Sequence, residues 1–369
     1  MNSYEYLTEL VEQKSLSSSS YSSRAWSYKG KGKKINTASE PVLNPKYEYI
    51  LNAIRGIRTN YPDSKMIPCV YSYDKNRKNV VVYFDIGAEF TIGFSAHYDI
   101  VNPKTDNPFD NQASVSHLLA LTERLSETPP TTHNILIVFT DGEEVGGTGA
   151  KAMSSVLEEE IRTKKLPYAD VVCIINLELT ACGNHYWADN ESTLAGFIFK
   201  RAVQRFSKST HVTIDCPFND SEVFRRNKFD SSCIGMIRRS TVGKIRSGQI
   251  DSPFIWNICH TMYDLMDFVS ERDMLKFTDI LFSLSIDCWD DEIYGFEPIS
   301  YDKQVCQYSY PSAYYKYSGS SSSTKSTKPK TTTLPLATSP QESYMEWWES
   351  ESDDWSSCLD NGHLKSGMF

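Results

Sequence analysis

The sequence predicts an α/β sandwich around a mostly parallel sheet, and three observations carry that expectation. Short, almost wholly apolar runs such as Asn134 to Thr140 and Ala169 to Asn176 give way to polar loop residues, as strands buried on both faces do. Longer stretches whose apolar residues fall at helical spacing lie between them. The two kinds of segment alternate across residues 45–297, which is the pattern of βα units.

The elements follow in order. Tyr47 to Ile57 reads as an amphipathic helix, because Tyr47, Ile50, Leu51, Ile54 and Ile57 fall near helical spacing. Asn79 to Phe84 and Thr91 to Ala96 read as strands, and Ser114 to Leu125 as a helix. After the strand at Asn134 to Thr140 comes a largely helical stretch, Val145 to Arg162, then the strand from Ala169. Helices return at Ser192 to Phe206 and Arg272 to Trp289.

The two ends break the pattern. Residues 1–44 are expected to be disordered: 15–40 are rich in serine, carry Lys29, Lys31, Lys33 and Lys34, and show no apolar period. Residues 298–369 are expected to form a disordered tail rich in Ser, Thr and Tyr, too polar to offset the entropy of ordering. Its final part sets Trp347, Trp348 and Trp355 among Glu346, Glu349, Glu351, Asp353 and Asp354. That patterning reads either as a docking peptide for a protein partner or as a solvated tail.

Composition narrows the function. Lys and Arg number 38 against 47 Asp and Glu, a net charge of -9, which argues against nucleic acid as the main partner. No stretch approaches the apolar length of a membrane span, and Met1 to Glu5 lacks the basic start of a signal peptide. The nine cysteines stand singly, an odd number without a CxxC pair, so a reducing cytoplasm is the expected location.

Ligand sites in parallel sheets gather at the carboxyl ends of the strands. The strand from Thr91 ends in His97-Tyr98-Asp99, that from Asn134 in Asp141-Gly142-Glu143-Glu144, and that from Ala169 in Asn176-Leu177-Glu178. Asp110 precedes the helix that begins near Ser114, and His260 follows the apolar run Phe254-Ile255-Trp256. Charged groups converging on one edge repel unless a cation neutralises them, and a mixed nitrogen and oxygen set suits zinc, with manganese or cobalt as alternatives. In His97-x-Asp99, the imidazole can bind metal while the carboxylate accepts its second ring N–H. Of Glu143 and Glu144, one can bind metal and the other act as general base, with Gly142, Gly146 and Gly147 allowing the turn. His133, His185, His211 and His363 lack ligand-like spacing; His117, on the helix after Asp110, reads as a helix-surface or packing residue, though near enough in sequence to line the site. Asp220 and Asp264 read as loop-ordering residues, and Cys259 as packing, with a soft metal ligand as the alternative.

These segments, with Asp110-Asn111, Asp220 and His260-Thr261, resemble the M28 family of metallopeptidases in order and approximate spacing across 45–297. The resemblance implies a mixed, mostly parallel sheet flanked by helices, the three-layer sandwich of zinc aminopeptidases. It implies that Asp110 bridges two zinc ions, that His97 and Glu178 complete one and Glu144 and His260 the other. It further makes Glu143 the general base toward a metal-held water, and Asp99 the support of His97. Two departures stand out: Gln112-Ala113-Ser114 follows Asp110-Asn111, and Glu178 stands where the aminopeptidases commonly carry Asp. The implied activity is exopeptidase hydrolysis of peptide or aminoacyl amide bonds. Two other readings stay open: a single-zinc glutaminyl cyclase, whose His260-Thr261-Met262 stretch with Asp264 is similar, and a binding protein on the same scaffold.

Overall fold

A computed structural model describes residues 1–13, 44–74, 77–101, 104–163, 170–207, 211–214, 216–247 and 254–287. Eight strands form one mixed sheet: β1 (Met66–Asp74), β2 (Arg77–Phe84), β3 (Phe90–His97), β4 (Asn134–Thr140), β5 (Asp170–Leu177), β6 (His185–Ala188), β7 (His211–Thr213) and β8 (Ser231–Ile237). Their spatial order is β1-β2-β4-β3-β5-β8-β6-β7. The run β4-β3-β5-β8 is parallel, and antiparallel pairings join β2 to β4 and β8 to β6. The mixed, mostly parallel sheet is therefore as expected.

Helices cover both faces. On one lie α1 (Ser3–Glu12), α2 (Pro45–Asn60), α3 (Ala113–Glu127), α5 (Leu194–Phe206) and α8 (Glu271–Asp287), which share a core with Val80, Val82, Phe84, Ile92, Phe94, Ile135 and Ile137. On the other, α4 (Thr148–Thr163) and α6 (Asp220–Arg226) pack against Val81, Tyr83, Leu136, Val138 and Ile174. Adjacent residues of β2 and β4 thus feed opposite layers, which explains why their sequences are apolar throughout rather than alternating. The remaining α-helix, α7 (Arg239–Arg246), packs through Val242 beside Trp187, Val212 and Ile237. Among the described residues, no helix is long and apolar enough to cross a membrane.

The expectation of disorder over 1–44 is corrected at residues 3–12. There Asn2 caps α1, accepting from the N–H groups of Tyr4 and Glu5 (both 2.9 Å) while the Glu5 carboxylate accepts from the Asn2 N–H. Tyr6, Leu7, Leu10 and Val11 form one buried stripe, so this short helix is held by tertiary packing. The Ser- and Lys-rich remainder from 14 to 43, the tail from 298 and the last residues of the helix expected to reach Trp289 lie outside the described residues.

His117 on α3 settles as a packing residue. Its Nε2–H donates to the Thr180 carbonyl (3.0 Å), which leaves Nδ1 to accept from the Thr278 hydroxyl (2.8 Å). Burial, opposed by the Thr180 bond, lowers its pKa to about 4. The unfolded chain takes up this proton below roughly pH 6.5, whereas the folded chain does not until about 4. The contribution is therefore whole above pH 6.5 and shrinks as pH falls toward 4, by roughly 3 kcal/mol. Urea melts between pH 7.5 and 4.5 should show a shallower loss of stability in His117→Gln than in wild type. Parallel curves would exclude His117 as a source of the slope.

Candidate metal centre

The parallel register delivers the predicted groups to one edge. His97 closes β3 opposite Thr140 at the end of β4, and Ser95 pairs with Asn176 near the end of β5. His97, the loop after Thr140 and Glu178 consequently emerge side by side.

Within the loop, Gly142, Gly146 and Gly147 have φ of 81°, 93° and 66°, where a side chain is disfavoured. They bring the N–H groups of Gly146 and Gly147 onto the Glu143 carbonyl (both 2.9 Å). Asp99 then does more than support His97. One of its carboxylate oxygens lies 3.3 Å from His97 Nδ1 and accepts from the Glu143 N–H at 3.2 Å, and the other accepts from the Glu144 N–H at 3.2 Å. A single carboxylate thereby orients both the imidazole and the acidic loop.

All five predicted ligand residues converge. Asp110 Oδ1 lies 3.2 Å from His97 Nε2, and its Oδ2 lies 2.9 Å from His260 Nε2. Glu178 stands 3.6 Å from the same nitrogen of His97, and Glu144 stands 3.0 Å from that of His260. The donor atoms of His97, Asp110 and Glu144 all lie within 4.8 Å of one another. His97 is buried, whereas the His260 side chain is 51% exposed, so the cluster opens to solvent on the His260 side.

Strained backbone gathers here as well. Three of the four non-glycine residues with positive φ among the described residues flank or belong to the cluster: Asn107 (51°), Leu179 (57°) and His260 (64°). Such residues cost about 1–3 kcal/mol each and persist only where surrounding structure fixes them.

The supports come from distant parts of the chain. Asp264 accepts from the N–H groups of Phe109 (2.9 Å) and Asp110 (3.2 Å), and so ties the turn carrying Asp110 to the segment after His260. Asn176 donates to Glu178 Oε1 (3.1 Å) and accepts from the Ser95 hydroxyl (2.8 Å). Sequence reasoning gave Asn176 no role; its signal was a polar side chain inside an otherwise apolar buried strand. Asp220, at the start of α6, is buried and accepts from the Thr140 hydroxyl (2.5 Å). His133 stacks on Phe90, His185 contacts Asn184 and His211 pairs with Glu191, all apart from the cluster. Burial and the carboxylates of Asp110 and Asp264 push the Cys259 thiol up, the opposite of what a thiolate ligand requires. His363 lies outside the described residues.

Removing the Asp264 carboxylate leaves two buried N–H groups without their acceptor, each loss worth about 1–3 kcal/mol. Asp264→Ala should therefore weaken metal retention at least as visibly as it lowers the melting temperature. Chelator competition followed alongside a thermal melt checks this. Wild-type metal affinity in the folded variant would exclude the anchoring role.

The electrostatics fit a cation. Burial alone would lower the His97 imidazole, but Glu178, then Asp110 and Asp99, hold it well above its ordinary value. Bonds to Asp110 and Glu144 raise His260 to about 10. Burial, reinforced by Glu178, Asp220 and Glu144, pushes Glu143 up to about 9 despite His97. The acidic cluster thus draws positive charge toward itself, and one divalent cation per imidazole–carboxylate pair would supply that charge through atoms already aimed inward. Imidazole nitrogen and carboxylate oxygen in this proportion suit zinc.

Comparison with known proteins agrees with this geometry. The profile of peptidase family M28 matches residues 79–285. Among solved structures, the fold is similar to the LapA aminopeptidase of Legionella pneumophila, at 13% identity and a TM-score of 0.57 over 77% of this chain and 69% of that one. It is also similar to the glutaminyl cyclase of Porphyromonas gingivalis, at 15% identity and a TM-score of 0.52 over 77% and 96%. The glutaminyl cyclase of Bacteroides thetaiotaomicron bound to N-acetylhistamine matches at 14% identity and 0.52 over 78% and 97%. At these identities the likeness is one of fold. No curated protein sequence matches the chain.

Proposed function

We propose, starting from the fact that this chain belongs to peptidase family M28, that it is a zinc-dependent exopeptidase of the aminopeptidase type. One observation carries the two-ion form of this reading. Asp110 presents its two oxygens to two different imidazoles, and each imidazole has its own second carboxylate, Glu178 beside His97 and Glu144 beside His260. One ion would be held by His97, Asp110 and Glu178, the other by Asp110, Glu144 and His260. When bound, the ions supply Lewis acidity toward the scissile carbonyl and lower the pKa of water.

The remaining chemistry belongs to the chain. Glu143 is buried beside the ligands without being one of them; burial raises its proton affinity in the metal-free protein, and cations held by its neighbours would lower that affinity toward the range of a working general base. Glu143 would accept the proton of the attacking water as the new C–O bond forms. It would then pass that proton to the leaving nitrogen as the C–N bond breaks. Asp99 holds the Glu143–Glu144 loop and His97 in one arrangement throughout. The cluster's open side, at His260, offers access for a peptide end.

Metal content per chain, measured together with hydrolysis of a panel of aminoacyl amides, tests the proposal. Two ions per chain and release of free amino acid are the expected results. One ion, with cyclisation of N-terminal glutamine and no amide hydrolysis, would replace this reading by the cyclase one. Absence of bound metal from a folded, zinc-supplied preparation would leave a binding protein on a peptidase scaffold.

A further inference from the structure

Behind Glu178, on the side away from His97, a cysteine of the sheet touches one from the segment before α6. Cys233 lies on β8 with no exposed surface, and its Sγ is 3.8 Å from that of Cys216, which sits in the segment before α6 and is partly exposed. Cys233 is fixed in place: it pairs with Asn176 across the β5–β8 register, and its N–H donates to Asp189 (2.8 Å). Its sulfur also meets the Asn176 amide at 3.9 Å, and that amide is the one that donates to Glu178 Oε1 at 3.1 Å. A continuous path therefore runs from the thiol of a partly exposed residue, through a buried thiol and an amide, to a carboxylate of the cluster.

We propose that Cys216 and Cys233 are a redox modification site, converted to a cystine by a low-molecular-weight disulfide, and that the cystine loosens the hold of Asn176 on Glu178. Cys216, the less buried member, attacks the small disulfide as its thiolate, forming a mixed disulfide and expelling one small thiol. Cys233 then attacks the Cys216 sulfur of that intermediate and expels the second. The two protein thiols lose two electrons, the small disulfide gains them, and the two thiol protons end on the released thiols. Bond formation requires the sulfurs to close from 3.8 Å to about 2.05 Å. Because the backbone of Cys233 is pinned by β8 and Asp189, the movement falls on Cys216 and on the rotation of the Cys233 side chain. That rotation takes the sulfur off Asn176, the group that orients Glu178.

The chemical environment sets the conditions. Contact with Cys233 favours the Cys216 thiolate, but burial together with the negative charges of Glu178 and Asp189 outweighs it and pushes this thiol up, and burial pushes that of Cys233 up further. Exchange is accordingly slow near neutrality and faster in mild alkali.

The linkage itself stands apart from the peptidase reading, whereas its effect on turnover rests on it, and the test separates the two. Full-length, zinc-loaded protein is incubated with oxidised glutathione at pH 8.5 and examined by intact mass, peptide mapping, chelator competition for zinc and aminoacyl amide hydrolysis. A loss of two hydrogens that maps to Cys216–Cys233 is expected. With it should come zinc affinity lower by about 10-fold or more, the scale on which partners of metal ligands act, with turnover falling alongside, and recovery of both on reduction. Cys216→Ser should retain basal zinc affinity, form no such link and resist the oxidant. Absence of the link, or a link between other cysteines, would overturn the site. A mapped Cys216–Cys233 link with unchanged zinc affinity would overturn the coupling to Glu178, whether or not the protein hydrolyses amides.

Discussion

Replacing Glu143 by glutamine is expected to lower turnover of an aminoacyl amide by about 10²- to 10⁴-fold, the range for loss of a general base, while metal content stays at the wild-type value. The substitution preserves shape, and every backbone bond that holds the loop survives it: the donations from Gly146 and Gly147 to the Glu143 carbonyl, and that from the Glu143 N–H to Asp99. What disappears is the proton acceptor. The same variant should make the metal-free protein more stable. In the fold, burial and neighbouring carboxylates hold the Glu143 pKa at about 9, against roughly 4.3 in an unfolded chain. A carboxyl with a raised pKa stabilises fully below its unfolded value and loses that contribution as pH rises toward 9. At pH 7 the native glutamate therefore carries a penalty that a neutral amide lacks, on the order of 4 kcal/mol. Metal analysis, kcat and the melting temperature of chelated protein read all three effects. Unchanged turnover would remove Glu143 from the chemistry, and loss of metal would make it a ligand.

What the sequence revealed of this site, and what it hid, follows from distance along the chain. The groups at the ends of β3, β4 and β5 are legible because each strand is a continuous apolar run whose boundary marks where chemistry can begin, and parallel neighbours place those boundaries at one edge. The elements that escaped are those whose burial depends on others. β6 and β7 span only four and three residues, too few for a period, and β1 carries Pro68 on the sheet edge. α1 has both a cap and an apolar stripe, yet the serine-rich stretch that follows it obscured them. Supports behaved in the same way. Asp264 reaches the turn of Asp110 across more than 150 residues, and nothing local to either identifies the pair. The left-handed backbone of His260 and Leu179 has no signature in a single sequence, because neither is the glycine that such a conformation favours.

Asp110→Asn should be the most damaging single change for metal, and its effect on stability should have the opposite sign to that of Glu143→Gln. Among the described residues Asp110 alone pairs with both imidazoles, Oδ1 toward His97 and Oδ2 toward His260, so its loss removes a ligand from each proposed half-site at once. Glu178→Ala, by contrast, strips only the half containing His97. Metal content should accordingly fall from two ions to less than one in Asp110→Asn, and to about one in Glu178→Ala, if two-metal sites divide as proposed. In the metal-free protein, burial opposes ionisation of Asp110, but its bonds to His260 and His97 prevail and hold its pKa well below the ordinary carboxylate value. A depressed carboxyl contributes stability above its unfolded pKa and loses it only as pH falls through the folded one. At pH 7 that contribution is fully present, and asparagine forfeits it by setting an amide nitrogen against one imidazolium. Melting of the chelated proteins at pH 7 should therefore rank Glu143→Gln above wild type and wild type above Asp110→Asn. If Asp110→Asn retained both ions, the bridge would be wrong. If it instead retained one ion and glutamine-cyclising activity, the two halves of the cluster would have unequal work, with Glu144 and His260 carrying the remaining metal.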